Sequence, residues 1–223
     1  RLLAYRGVWD EAEQEFATAL ELNESGEVIQ GQGITWGYRS QAALLQDRSG
    51  ETQAAATALA AATRAVELAD ETARTIYPVE RDYVRAHWLL GAAHRLNGNL
   101  TQSDTHLGDA LTRCRTINMV DHEADILLDL ARLRADQGQP AEALRLAQEA
   151  LAITERSGYV LQGADVRLFL AQLALNAGDH PQALAHAQIA RQLATCDGGD
   201  HVYRVAYDEA GALLAQLAPP ESC

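Results

Sequence analysis

The sequence predicts an all-α fold: an α-solenoid, a superhelix of antiparallel helix hairpins built from units of about 40 residues. Three observations predict it. Turn glycines recur at a constant distance, with Gly98, Gly138 and Gly178 spaced 40 and 40 apart. Small or apolar residues follow each glycine at the same offsets. Aromatic residues make up 5% of the chain while alanine is abundant, a composition suited to helices whose backbones approach closely. A fixed period of this kind is the signature of a repeat architecture.

The first copy is "YRGVWDEAEQEFATALEL" (5–22), with Gly7, Ala12, Phe16 and Ala19 at the shared offsets. The helix "ITWGYRSQAALLQD" (34–47) follows, with 48–53 read as an inserted loop. A degenerate copy, "AAATALAAATRAVEL" (54–68), aligns through Ala58, Ala62 and Ala65 but lacks the glycine. Three copies then align without gaps: "LNGNLTQSDTHLGDAL", "ADQGQPAEALRLAQEAL" and "LNAGDHPQALAHAQIA". Five, nine and twelve residues after their glycines stand Ser103/Ala143/Ala183, Leu107/Ala147/Ala187 and Ala110/Ala150/Ala190, positions that share one helical face. The glycine ends one helix in a left-handed conformation. Pro140 and Pro181 fall in the first turn of the next, where a missing N–H is harmless, and Asp179 is a suitable N-cap. The preceding helices (85–96, 125–135 and 165–175) match at the same spacing, making Leu90, Leu130 and Leu170 equivalent, with Gly91, Ala131 and Ala171 beside them. Helices are expected near 8–23, 27–47, 53–75, 79–97, 100–116, 120–137, 141–156, 160–177, 181–196 and 202–217. This gives one solenoid domain over 1–217, in units of about 1–23, 27–75, 79–116, 120–156 and 160–196, with a capping helix at 202–217 and a tail or linker at 218–223.

Composition excludes several functions. The net charge of −13 repels phosphate backbones and anionic lipid, so neither nucleic acid nor membrane is an expected partner. No apolar run approaches the roughly 18 residues that span a bilayer. All 18 basic residues are arginine. Cys114, Cys196 and Cys223 are too few and scattered for a disulfide framework, which favours a cytoplasmic location. The chain starts with arginine and is read as a piece of a longer protein.

No catalytic constellation emerges, and neither an enzyme activity nor a cofactor is expected. "GQGITWG" (31–37) follows no strand, and a Walker-type loop needs lysine. His87 and His94 lie two turns apart on one helix without a supporting ligand at i+4, so no metal site is expected. "DHEAD" (121–125) places acidic residues at a helix start, where they complement the dipole. "CDGGD" (196–200) lacks the ligand pattern of a calcium loop and reads as a helix stop.

The repeat, with a bulky residue, Leu-Gly/Ala, Gly, Ala, an apolar residue and Ala in order, resembles the tetratricopeptide repeat over nearly the whole chain. It departs in its longer period and in lacking the closing proline. The stretches "RSGYVLQGADVRLFLAQLALNAGD" and "ATCDGGDHVYRVAYDEAGALL" resemble the repeats of the sensor region of bacterial STAND-type signalling ATPases and of ATP-dependent transcription regulators. The resemblance implies that the first helix of each hairpin lines a concave groove. Its inner positions correspond here to Arg85, Trp88 and Arg95; to Asp125, Leu128, Asp129, Arg132 and Asp136; and to Asp165, Leu168, Phe169, Gln172 and Asn176. Such a groove suits a protein or peptide with apolar and basic features. The expected function is a scaffold or sensor module of a larger bacterial signalling protein, answering to domains of its own full-length chain. The alternatives are a small-molecule-sensing repeat domain and a self-association module forming a homo-oligomer.

Overall fold

The computed structural model describes residues 1–218. Within them the chain forms eleven α-helices and no strand: α1 (Leu2–Tyr5), α2 (Trp9–Ser25), α3 (Ile29–Arg48), α4 (Ala54–Thr75), α5 (Glu80–Leu96), α6 (Leu100–Thr116), α7 (Val120–Asp136), α8 (Pro140–Ser157), α9 (Val160–Asn176), α10 (His180–Ala194) and α11 (Arg204–Leu217). One turn of 3-10 helix, Gly199–His201, precedes α11. The expected tail lies mostly outside the described residues.

The turns form as their sequences dictate. Gly7, Gly98, Gly138 and Gly178 all have φ between +72° and +78°, the left-handed region that glycine enters cheaply. Asp179 caps α10 by accepting a hydrogen bond from the Gln182 N–H at 3.1 Å. In the α2–α3 and α6–α7 turns a residue other than glycine, Glu27 and Asn118, carries the positive φ, at 55° and 54°.

Consecutive helices pair, most extensively α3 with α4, α5 with α6, α7 with α8 and α9 with α10. The odd helices also touch one another in succession, from α3 through α5, α7 and α9 to α11, and so form an inner layer. The hairpin seams are built from small residues. Ala143, Ala147, Ala150, Ala183, Ala187, Ala190, Ser103 and Ala110 are all fully buried. One seam differs. Gly91 stands where α7 and α9 have Ala131 and Ala171, and it faces the fully buried Leu107 where the next two units have Ala147 and Ala187. A large residue on one helix is accommodated by the smallest on the other.

The solenoid closes on itself. Tyr5 packs edge-on against Tyr203 with ring centroids 4.9 Å apart. The Arg6 Nε donates to the Asp200 carbonyl at 2.6 Å. One hydrophobic cluster holds Ala4, Phe16 and Leu45 together with Ala164, Tyr203 and Val205. The helix expected only to cap an open rod therefore joins the last hairpin to the first, and the concave groove becomes a central cavity that stays partly open to solvent.

Candidate functional site

The cavity has a volume of about 490 Å³ and is lined by the five inner helices and by Tyr5 of α1. This falls in the range of roughly 300–1,000 Å³ typical of ligand sites. The forty-residue register arranges the lining of α7 and α9 in levels. Asp125 and Asp165 share the first, Leu128 and Leu168 the second with Asp129 and Phe169 beside them, and Arg132 and Gln172 the third. From α5 come Trp88, Ala92 and Arg95.

Of the predicted groove positions, Trp88, Arg95, Asp125, Asp129, Arg132, Asp165, Phe169 and Gln172 line this cavity. Arg85, Asp136 and Asn176 do not. Arg85 is buried behind the wall, pairing with Asp82 at 3.2 Å, its guanidinium carbon 5.3 Å from the Tyr38 ring centroid. Asp136 accepts from Arg95 Nη1 at 2.9 Å, and Asn176 accepts from Gln172 Nε2 at 2.9 Å.

The middle of the wall is held rigid by two bonds to one carboxylate. Trp88 Nε1 donates to Asp129 Oδ2 at 2.7 Å and Arg132 Nη1 donates to Oδ1 at 2.9 Å. At the seam between first and last hairpins, Arg48 donates from Nε and Nη2 to Glu209 at 3.0 and 2.6 Å and from Nη1 to the Tyr203 hydroxyl at 2.9 Å. Its Nη2 also pairs with Asp165 at 2.8 Å, and the Tyr203 hydroxyl donates to both Asp165 oxygens at 3.0 Å. Burial opposes the Arg48 charge, but Asp165, Tyr203 and Glu209 hold it firmly protonated. Burial likewise pushes the Tyr5 hydroxyl up to about 12. That hydroxyl accepts from Gln41 Nε2 at 3.0 Å.

Asp125 is different. Among the described residues it makes no ion pair, and its one hydrogen bond is a long one, 3.5 Å, from Gln162 Nε2. Burial, then the neighbouring Asp165 and Asp129, push its carboxyl up to about 8. The cavity thus carries one carboxyl group without an ion pair, on which the Arg1 guanidinium acts only through space.

Sequence reasoning missed the contribution of the two ends. Tyr5, Gln41 and Arg48 on one side, and Glu209, Ala212 and Gln216 on the other, line the same space. No periodicity signals this, because the α3 unit is irregular and α11 pairs with no later helix among the described residues.

Other chemistry is sparse. His87, His106 and His94 form a stack between α5 and α6, with centroids 5.2 and 5.5 Å apart. Among the described residues no group of three or more His, Cys, Asp or Glu side chains is placed to hold a metal ion. No described helix is long and apolar enough to cross a membrane.

The tetratricopeptide repeat family profile matches residues 82–156, the span of α5 to α8. That match, together with the paired helices, supports a tetratricopeptide-type repeat protein. The crystal structure of BtubC (BKLC) from P. vanneervenii superposes with a TM-score of 0.60 at 16% identity, over 96% of this chain and 94% of that one. At such identity the likeness is one of fold. No curated protein matches the sequence.

Proposed function

We propose that this chain is a non-enzymatic protein- or peptide-binding scaffold or sensor module that takes its ligand into the central cavity. Tetratricopeptide repeats generally mediate protein interaction, and solenoid curvature creates concave binding surfaces. The observation that carries the reading is the lining itself. Trp88, Leu168 and Phe169 offer apolar contact beside fixed polar groups, which is the composition of a recognition site. Arg48, Arg95 and Arg132 are each engaged by a carboxylate, while Asp125 has none, so the site favours a ligand with basic and apolar features. Within a larger bacterial signalling protein, ligand capture would alter how neighbouring domains pack on the ring.

Gln172 and Ala212 are exposed and line the cavity, so tryptophan at both fills it without disturbing the core. A peptide array probed with the wild-type protein should show binding that Gln172→Trp/Ala212→Trp abolishes. Binding that survives the filling rejects the cavity as the site. A second reading, a small-molecule sensor, is favoured by the closure of the ring, which leaves too little room for a folded partner inside. A thermal-shift screen against metabolites tests it, since a ligand that binds only the folded chain raises Tm.

A further inference from the structure

The short turns reverse the chain twice between one inner helix and the next, so α5, α7 and α9 run parallel. Their lining therefore has a direction. At one end stand Asp125 and Asp165. In the middle stand Trp88, Leu168 and Phe169. At the other end stand Arg132 and, one turn further along its own helix, Arg95. Asp125 and Arg132 are two helical turns apart on α7, an axial separation of about 10 Å.

Each end has unused capacity. Asp125 has no ion pair among the described residues. Arg95 lines the same end as Arg132 and gives only its Nη1 to Asp136 among the described residues. A guanidinium has five donors, and the bond from Arg132 to Asp129 uses one of them. Spare guanidinium donors of Arg132 at one end and a carboxyl group without an ion pair at the other are complementary to a ligand with opposite charges at its two ends.

We propose that the cavity binds a short linear peptide of about three residues with both termini free, in one orientation, its ammonium at Asp125 and Asp165 and its carboxylate at Arg132 and Arg95. This rests on the reading that the cavity is the binding site, and narrows the ligand to a free zwitterionic peptide. An extended chain advances about 3.3–3.6 Å per residue, so three residues span the 10 Å between the charged levels. The central side chain then meets Trp88, Leu168 and Phe169, which selects an apolar residue there. Charge-assisted bonds at both ends fix the direction. The high proton affinity of the Asp125 carboxyl agrees with this role. Charging it in the empty cavity is costly, and an ammonium alongside removes the cost.

The test is an equimolar library of tripeptides and tetrapeptides with free termini, beside the same library acetylated at the amino end or amidated at the carboxyl end. Each is mixed with the protein, retained species are read by mass spectrometry after gel filtration, and the best binder is measured by titration calorimetry. Free peptides with an apolar centre should be retained, and capping either end should weaken binding at least tenfold. Asp125→Asn should erase the penalty of acetylation, and Arg132→Gln that of amidation. Capped peptides binding as well as free ones overturn the zwitterionic inference, while the cavity reading survives if Gln172→Trp/Ala212→Trp still abolishes retention. Retention unaffected by that double variant, or no retention of any peptide, overturns both. The capping arms use only the wild-type protein and do not depend on any variant folding.

Discussion

Gly91→Ala should destabilise the protein, although the same change inside a helix ordinarily helps. Alanine in place of glycine in a helix interior gains about 0.5–1 kcal/mol. At Gly91 an added Cβ would lie 2.6 Å from Leu107 Cγ and 3.0 Å from the Leu107 backbone nitrogen. Leu107 is fully buried and has nowhere to swing, and a backbone contact yields only if α6 itself shifts. Overpacking of this kind costs about 1–3 kcal/mol, so the net loss reaches about 2.5 kcal/mol. For a chain of this size that lowers Tm by up to roughly 10 °C. Gly108, on α6, meets nothing within 4 Å and is the control: Gly108→Ala should raise Tm. Calorimetry and urea titration followed by circular dichroism would measure both. Leu107→Ala alone opens a void costing about 2–5 kcal/mol. The double variant Gly91→Ala/Leu107→Ala restores the small-against-small pairing of the next two hairpins, and should cost clearly less than the sum. A Tm for Gly91→Ala at or above wild type, or strict additivity in the cycle, would refute the complementarity of this seam.

Three further outcomes follow from features away from that seam. Arg48→Met strands Asp165 and Glu209 and should cost about 3 kcal/mol, with part recovered by adding Asp165→Asn; small-angle scattering should show an expanded ring, and unchanged dimensions would count against closure by this cluster. His87, His94 and His106 have their proton affinities lowered, chiefly by burial, so protonation favours the unfolded chain. Stability present above the ordinary histidine range near 6.5 should fall as pH drops below it, NMR titration should place their midpoints under that value, and His106→Gln should flatten the loss measured by urea titration between about pH 7 and 5. Burial pushes the Cys114 thiol up to about 12, and the side chain is fully enclosed, so iodoacetamide should modify exposed Cys196 in the native protein and reach Cys114 only on unfolding, as peptide mapping would show.

What was legible in the sequence was whatever repeats. Gly98, Gly138 and Gly178 marked the turns because only a residue without Cβ enters the left-handed region cheaply, and the alanines at fixed offsets marked the seams because helices approach closely only there. The same register placed Asp125 and Asp165 on one level of the inner face. The rest depends on contacts that no period encodes. Tyr5 and Tyr203 meet across the whole array, and Arg48 sits at the end of α3, where the sequence showed only the beginning of an inserted loop. That Arg85 turns away from the cavity follows from its local pairing with Asp82 and Tyr38, not from its place in the repeat. That Asp125 lacks an ion pair becomes visible only once Arg48, Arg95 and Arg132 are each seen to have a carboxylate of their own.

Closure has a consequence for how the molecule comes apart. A linear array unzips from its termini, because each terminal unit has a neighbour on one side only. Here the outermost hairpins hold each other through Tyr5, Arg6, Arg48, Asp200 and Tyr203, so fraying must first undo a clasp joining residues 155 to 198 positions apart. Protection from amide exchange should therefore be nearly even around the circle, and severing the clasp should restore the graded protection of an ordinary stack.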